Sequence, residues 1–383
     1  MTEKLYYEDS RLAEFSARVI SCEPAGEGYA LTLDRTAFFP EGGGQRADAG
    51  YIGDTPVFDA RERDGEILHY VKEPVEPGEY ACRIDRETRF RRMQNHSGEH
   101  ILSGIVHGLF GYDNVGFHMG EEVVTIDFDG EMTDEQIRLA QTLANKAVTD
   151  NIEIVSDFPT GEELENLNYR SKKELSGEVR IVTIPGVDCC ACCAPHVTRT
   201  GEIGLIKILS AMRHRGGVRL EIVCGQDALS VFNAEHDSVC AISASLSARR
   251  EETAEAVERI LFENERQKYR SVQLERRLVA EMLAGIPQTD GNICIFDNVL
   301  SEEGVRELVN GAVLKCGGLA AVFYGEEGEY KYIMGSSAID LRALSKTINA
   351  GINGRGGGKP QMIQGSAAQE AQNIKDFING LKV

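Results

Sequence analysis

The chain has 383 residues, too long for one ordinary domain, so we expect two or three units with their own cores. It carries 41 lysines and arginines against 61 aspartates and glutamates, and the net charge of −20 repels nucleic acid unless basic residues are gathered locally. No apolar run approaches the roughly 20 residues of a membrane helix, and the N-terminus shows no targeting segment. We therefore expect a cytoplasmic protein with no membrane partner.

Short β segments separated by turn signals fill residues 19–70, which predicts a small β-barrel over residues 1–88. The glycine-rich stretch DRTAFFPEGGGQRADAG, residues 34–50, interrupts these segments. Glycine lets the backbone approach a ligand closely, so this loop is a candidate part of a binding site.

Residues 89–226 mix helix and strand patterns, and we expect one α+β core there. Within residues 89–111, apolar residues recur at helical spacing, so we expect a helix that begins near Arg92, and Gly111 is positioned to end it. Thr133 and Thr160 each begin a capping-box pattern, which predicts two further helices.

Residues 227–286 are charged, almost free of glycine and helical in pattern. They predict a long helix or helical hairpin that connects domains and is suited to forming a homodimer. Residues 287–383 alternate strand and helix patterns and contain a second glycine-rich loop, GRGGGKP, so we expect a compact α/β domain that also offers a dimer contact. The predicted fold class is α+β, made of a barrel, a core, a helical connector and this last domain.

Ten cysteines are spread along the chain, without the paired framework of a secreted disulfide protein. Four of them, Cys189, Cys190, Cys192 and Cys193, fall within five positions, and His196 follows. A disulfide knot, a closed zinc site, a thiol nucleophile and part of an open metal site are the alternatives for this run. The disulfide knot is disfavoured because a reducing compartment keeps thiols free.

His96 and His100 are four residues apart on the expected helix, so both imidazoles leave one face. Alone this pair is a weak signal, since one histidine can pack in the core while the other faces solvent. Cys192 and His196 form a second pair, C-x-x-x-H, and together the two pairs supply a ligand set that suits zinc. A site made from the crowded cysteines is the competing assignment. If the metal takes one cysteine, the others are explained as small buried residues in a tight turn.

Four motifs follow one another along the chain: TAFFPEGGGQ, NHSGEHIL, CCAPHVTRTGEIG and HRGGVRLEIV. In this order they resemble the editing domain of alanyl-tRNA synthetase and the free-standing alanyl-tRNA editing proteins of the AlaX type. GINGRGGGKPQMIQGSA is similar to the glycine-rich loop of the DHH-associated C-terminal domain of those synthetases, which points to the long subclass of editing proteins. The chain departs from the family in having C-C-A-P-H in place of C-G-G-T-H, and His118 where serine is common.

The resemblance implies an aminoacyl-tRNA hydrolase that needs no ATP and removes chiefly serine, with glycine as a second candidate, from alanine tRNA. It implies one zinc ion, whose ligands would be His96, His100, Cys192 and His196. Thr36 stands where the family has a threonine proposed to sense the serine hydroxyl, and Gln45 closes the GGGQ loop beside the substrate. With His96 and His100 they form the expected catalytic set. A group that pairs the serine hydroxyl would spare alanine, which leaves that group unpaired.

Basic residues gather before the histidine helix, beside the Gly-Gly turn after the cysteine run, and in the last domain. They are the expected contacts to tRNA phosphates, although a solvated surface charge explains any single one as well. The residues expected to bind tRNA are Arg89, Arg92, Arg213, Arg215, Arg219, Arg355 and Lys359.

Zinc in such a site can polarise the ester, activate water or hold the substrate amino group, and the sequence does not choose among these roles. Four protein ligands bound at once would leave no open position and favour a structural zinc. The competing hypothesis is therefore a non-catalytic tRNA-binding module. The chain begins directly in the β unit, so we expect no amino-acid-activating domain, and it lacks the Asp-His-His motif of the related phosphoesterases.

Overall fold

The computed structural model describes residues 1–171 and 178–381. These residues have mixed α+β structure and divide into two compact units, Met1–Ala241 and Ile242–Val383. Each unit has its own clusters of buried apolar side chains. The α+β fold class predicted from the sequence is confirmed. In the described residues, no helix combines the length and apolar character needed to cross a membrane.

The first unit begins with short strands. They are β1 Glu3–Lys4, β2 Glu14–Ala25, β3 Gly28–Leu33, β4 Arg35–Thr36, β5 Gly50–Ile52, β6 Thr55–Arg63, β7 Glu66–Val71 and β8 Gly78–Ile84. The strands pair in the order β2, β3, β7, β6, β5 and β8, and β8 pairs back with β2, so this six-strand ladder closes on itself. Alternate residues of β7, Ile67, His69 and Val71, are buried, as the two-residue period of a strand dictates.

The segment between β4 and β5 leaves the ladder and carries the GGGQ motif. Gly43 and Gly44 have φ angles of 60° and 82°, a region that side-chain-bearing residues rarely adopt. A Cβ atom on Gly44 would lie 2.5 Å from the ring of Phe117. Glycine therefore allows both the turn and its close approach to the core of the unit.

The rest of the first unit is α+β. It contains α1 Arg86–Phe110, β9 Asn114–Met119, β10 Val124–Phe128, α2 Asp134–Thr149, β11 Val155–Asp157, α3 Gly161–Asn166, β12 Ile181–Ile184, β13 Asp188–Ala191, β14 Ile206–His214, β15 Gly217–Cys224 and the start of α4 Gly225–Leu246. Strands β14, β15, β10 and β9 form one sheet in that order, and β11, β12 and β13 form another. The predicted end of α1 at Gly111 and the capping boxes at Thr133 and Thr160 are confirmed.

The second unit begins within α4 and continues with α5 Thr253–Gly285, β16 Ile293–Asp297, α6 Glu302–Val313, β17 Ala320–Tyr324, β18 Tyr330–Gly335, α7 Leu341–Gly351, β19 Gly354–Lys359, β20 Met362–Ala367 and α8 Ala371–Gly380. Its five strands form one sheet in the order β16, β17, β18, β20 and β19.

The sequence predicts a glycine-rich loop at GRGGGKP, and this prediction is wrong. Gly354–Lys359 is strand β19, which pairs antiparallel with β20 at the edge of the sheet. Glycine is required there for packing, since a Cβ atom on Gly356 would lie 2.3 Å from the hydroxyl of Tyr332. The glycines therefore allow close approach within a sheet rather than freedom in a loop.

Replacing Gly44 by alanine should destabilise the first unit more than the same change at Gly65. Both glycines have nearly the same φ, 82° and 80°, but a Cβ atom on Gly65 has nothing within 4 Å. Gly65→Ala should therefore cost only the left-handed backbone penalty of about 1–2 kcal/mol. Gly44→Ala should add an overpacking cost of about 1–3 kcal/mol against Phe117. Urea unfolding of the two variants measures the difference, and equal costs would contradict the tight packing of this loop.

Candidate metal centre

Helix α1 carries two buried histidines on one face. His96 and His100 are 2% and 3% exposed, and their ring centroids lie 5.4 Å apart. The helix is fixed at its start by Asp85, whose side chain accepts the backbone N–H of Thr88. The spacing of four residues thus brings two imidazoles to one point inside the unit, as the sequence predicts.

The turn after β13 brings the second pair to the same point. Cys192 Sγ lies 3.3 Å from Nε2 of His196 and 3.5 Å from Nε2 of His96. Arg180 fixes the turn, because its guanidinium donates to the carbonyls of Cys192 and Ala194 at 3.0 and 2.8 Å. The turn that carries Cys192 is therefore held by a buried arginine.

Four donor atoms converge in this way, one from each of His96, His100, Cys192 and His196. All four lie within 4.8 Å of one another, and the four side chains are buried or nearly so. One sulfur and three nitrogens around a common point are a donor set that fits zinc. The structure brings together the four residues that the two sequence motifs single out.

Each of the three imidazoles is held through its Nδ1 atom. Nδ1 of His96 lies 2.9 Å from Oε1 of Gln45, and Nδ1 of His100 lies 3.1 Å from a carboxylate oxygen of Asp188. Nδ1 of His196 lies 3.0 Å from the hydroxyl of Ser97. Partners on Nδ1 orient the rings and leave Nε2 for a metal, as is common for histidines that bind zinc.

Asp188 is itself held from the other side. The guanidinium of Arg170 donates to both carboxylate oxygens of Asp188, at 2.8 and 2.9 Å. Burial alone would raise the pKa of Asp188, but the hydrogen bonds from His100 and Arg170 outweigh it and hold the pKa below its usual value. Asp188 therefore stays a carboxylate and orients His100.

Two of the four candidate ligands, Cys192 and His196, are in protonation states that suit metal binding. Burial alone would raise the pKa of Cys192, but the neighbouring histidines lower it well below its usual value, which favours the thiolate. Burial also lowers the pKa of His196 to about 3, so this imidazole is neutral. Thiolates and neutral imidazoles are the forms that bind a metal ion. His100 differs: burial alone would lower its pKa, but hydrogen bonds to Asp188 and Cys192 raise it well above its usual value, so a metal ion would displace a proton from this imidazole.

Known proteins share this part of the chain and much of the rest. Residues 179–221, which include Cys192 and His196, match the family described as the threonyl and alanyl tRNA synthetase second additional domain. The chain is 27% identical to the alanyl-tRNA editing protein Aarsd1 of Mus musculus over 98% of both chains. It is 32% identical to the alanyl-tRNA editing protein AlaX-L of Pyrococcus horikoshii over 61% of this chain and 60% of that protein.

The chain is a homologue of the alanyl-tRNA editing proteins. It is also 30% identical to the alanine–tRNA ligase of Ignicoccus hospitalis, over 94% of this chain but only 40% of the ligase. The resemblance indicated by the four sequence motifs is therefore confirmed.

Gln45 links the GGGQ loop of this editing-protein homologue to the ligand cluster. Its Oε1 accepts from His96, whereas its Nε2 is buried and has no hydrogen-bond partner in the described part of the chain. The side chain is 1% exposed. Gln45 therefore holds an unused amide NH2 group beside the candidate metal ligands.

Thr36, which the sequence analysis expects to contact the substrate, is enclosed by the protein. It is fully buried, its Oγ1 lies 2.8 Å from Nε2 of His69, and it accepts the backbone N–H of Phe38. Nδ1 of His69 faces the carbonyl of Leu31 at 3.2 Å, so Nδ1 donates and Nε2 accepts the Thr36 proton. Burial lowers the pKa of His69 to about 4, which keeps it neutral. Sequence reasoning missed His69, which no motif marks.

The crowded cysteines have separate environments, and all ten cysteines of the chain are free thiols, as predicted. Cys190 is buried, and its sulfur lies with donor atoms of His100 and Asp188 in a second group that could hold a metal ion. Cys189 Sγ lies 3.6 Å from the hydroxyl of Thr183. Cys193 is exposed and faces Gly43 of the GGGQ loop. Successive residues of strand β13 face opposite sides of the sheet, so Cys189 and Cys190 point in opposite directions. Their adjacency in the sequence already implies this if the segment is a strand.

Arg89, predicted to contact tRNA, is buried and is not available to a phosphate. It is 2% exposed, forms an ion pair with Asp48, and donates to the carbonyls of Ser10 and Ala37. Every side of its guanidinium is therefore used within the protein. Arg89 joins α1 to the segment between β4 and β5.

The other predicted tRNA contacts lie at or near the surface. Arg92 is 20% exposed, Arg219 pairs with Asp127, and Arg213 pairs with Glu131. The exposed side chains that complete the set are Arg215, Arg355 and Lys359. His118 is also exposed, on β9 opposite Thr125 of β10.

Replacing Asp188 by asparagine should weaken zinc binding about 10–100-fold, because the partner that orients a metal-binding histidine is then lost or misdirected. Competition with a chromophoric chelator measures the affinity. Asp59→Asn is the matched control, since Asp59 forms a surface pair with Arg61 in the same unit. Wild-type affinity in Asp188→Asn would contradict the role given to this carboxylate.

Proposed function

We propose that this protein is an aminoacyl-tRNA hydrolase that acts in trans and removes serine, and glycine as a second substrate, from wrongly charged alanine tRNA. The observation that carries the proposal is the convergence of one ring nitrogen from each of three histidines with the Cys192 sulfur, while every Nδ1 has a side-chain partner. Homology to the alanyl-tRNA editing proteins supports the substrate class.

One zinc ion is the proposed cofactor, held by His96, His100, Cys192 and His196. When bound, zinc supplies Lewis-acid chemistry toward the ester or a water molecule. The pKa directions of Cys192 and His196 support this assignment, because they favour the deprotonated ligands.

Gln45 is proposed to bind the reacting ester. Its Oε1 is committed to His96, so its Nε2 is the atom left to donate. A buried donor without a partner gains most from an acceptor that develops negative charge, such as the carbonyl oxygen of an ester under attack. His96 thereby both offers Nε2 to the metal and orients Gln45.

Thr36 is proposed to select serine over alanine. The Thr36 hydroxyl donates to His69 and accepts the backbone N–H of Phe38. One lone pair of its oxygen remains, and it can accept a hydrogen bond from a serine hydroxyl. The methyl group of alanine cannot form this bond. Because Thr36 is fully buried, this role requires that substrate binding opens the surrounding segment.

Binding of the tRNA body is proposed for the second unit. Arg355 and Lys359 are exposed on the edge strand β19 of this unit. The segments 1–88, 89–226, 227–286 and 287–383 remain our proposed domains, and a homodimer through the connector or the last domain and a cytoplasmic location remain predictions.

The second candidate function is a tRNA-binding module whose zinc is structural. The four candidate protein ligands favour it, because four ligands complete the tetrahedral shell of zinc and leave no position for water or substrate. If one of the four protein ligands leaves the zinc when substrate binds, a coordination position opens and catalysis becomes possible.

The purified protein should hydrolyse seryl-tRNA of alanine specificity at least about 100-fold faster than alanyl-tRNA, because the alanyl substrate leaves a buried polar group unpaired. Release of the labelled amino acid measures both rates, with uncatalysed hydrolysis as the baseline. If seryl ester is lost only at the baseline rate while the protein binds the tRNA, the non-catalytic module is the correct function.

Replacing Cys192 by alanine should remove most of the bound zinc, because it deletes one of four converging donors. Metal analysis of the purified variant measures the content. Cys189→Ala is the matched control, since that sulfur faces Thr183 rather than the cluster. Loss of zinc in Cys190→Ala but not in Cys192→Ala would instead assign the metal to His100, Asp188 and Cys190.

A further inference from the structure

The first unit contains a cavity of about 320 Å³ lined by three arginines, Arg46, Arg91 and Arg92. We call it the arginine pocket. Thr88 and Asn95 add neutral polar groups to its lining. The acidic side chains that also line it are Glu121, Glu122 and Asp227.

The arginine pocket shares helix α1 with His96 and His100, although none of the four candidate metal ligands lines it. Arg92 precedes His96 by four residues on α1, so both leave the same helix face, about 6 Å apart along the axis. Arg46 follows Gln45, whose side chain contacts His96. On α1, Arg92 is the pocket-lining residue whose side chain leaves nearest to the face of His96.

Arg92 has to share its carboxylate partner with Arg89, and its Nη1 also donates to the carbonyl of Ala47 at 2.6 Å. Arg89 pairs with one carboxylate oxygen of Asp48, and Nη1 of Arg92 lies 3.7 Å from the other. Two guanidinium groups thus share one carboxylate. Burial lowers the pKa of Arg92, Asp48 opposes the shift, and Arg46 and Arg89 add to it. An anion in the arginine pocket would offset this repulsion.

Arg46 already binds a carboxylate at the mouth of the pocket. Its Nη1 lies 2.6 Å from Oε1 of Glu121, and the two side chains are 52% and 77% exposed. An exposed pair of this kind contributes little stability, so a phosphate can displace the carboxylate. Asp227, in contrast, already accepts hydrogen bonds from Arg91 and Asn95.

We propose that the arginine pocket binds the phosphate on the 5′ side of the terminal nucleoside of the charged tRNA, with Arg46 and Arg92 as its ligands. This proposal rests on the proposed function, because the phosphate site would position the ester of the same nucleoside at the metal centre. Ester and phosphate are attached to one ribose, and their separation is comparable to one helical turn, about 5.4 Å. Arginine suits this role because its planar group forms paired hydrogen bonds with phosphate.

The test compares two adenosine analogues that carry serine on a 3′-amide, which the enzyme cannot hydrolyse, one with and one without a 5′-phosphate. Binding to the zinc-loaded full-length protein is measured by calorimetry. The phosphate should improve affinity about 10–100-fold in the wild type, the range expected for hydrogen bonds to a charged group. This advantage should disappear in Arg46→Met and Arg92→Met, whereas Glu121→Gln should increase it.

Arg18→Met is the matched control, because Arg18 forms a comparable exposed pair with Glu79 at 2.9 Å. It should keep the full advantage of the phosphate. Arg46 is half exposed, so its variant keeps the test valid if Arg92→Met folds poorly. With uncharged full-length tRNA, each lost phosphate contact should reduce the slope of log affinity against log salt by about 0.7.

Two results separate this proposal from the proposed function. If the unphosphorylated analogue binds but the phosphate adds nothing, or still adds affinity in both arginine variants, the arginine pocket is not the phosphate site and the hydrolase proposal stands. If neither analogue binds and seryl-tRNA is not hydrolysed, the proposed function is wrong, and the site fails with it.

Discussion

The buried ion pair between Arg89 and Asp48 is the constraint on which the candidate site depends. Arg89 lies on α1, and Asp48 lies in the segment between β4 and β5, 41 residues earlier in the chain. Asp48 also accepts the backbone N–H of Phe39, so it fixes the path of its own segment. Breaking such a pair leaves an uncompensated buried charge, at a cost of about 3–5 kcal/mol. The pair therefore sets the position of Gln45 against His96.

The three imidazoles depend on three different parts of the chain. Gln45 reaches His96 from the GGGQ loop, Asp188 reaches His100 from β13, and Ser97 holds His196 from α1 itself. None of these partners is close in sequence to the histidine that it orients, so the donor geometry exists only when the unit is folded. Any metal bound there would stabilise the folded unit by the same coupling.

The sequence predicts the ligand set because two short spacings carry it, and it predicts the capped helices because a capping box is local. It fails where distant contacts decide. The burial of Arg89 depends on Asp48, and the strand at Gly354–Lys359 depends on pairing with β20. His69 has no motif at all, and the pairing of β7 with β3 sets its Nδ1 against the carbonyl of Leu31, which leaves its Nε2 for the Thr36 hydroxyl. The residue types around a position suggest whether it is flexible or exposed to solvent, but they do not identify the distant residue that it contacts.

The C-C-A-P-H turn is held by a buried arginine and does not need glycine. The related family has two glycines after the cysteine, yet none of residues 192–196, all of which the structure describes, has a positive φ, so this backbone requires no glycine. Arg180 instead holds the turn through the carbonyls of Cys192 and Ala194, and its own carbonyl accepts the backbone N–H of Cys192 at 3.0 Å. Arg180 directly precedes β12 and Cys192 directly follows β13, and these two strands are paired. Strand pairing and one buried cation thus set the position of the sulfur, and substitutions within the turn that keep both leave the donor where the histidines need it.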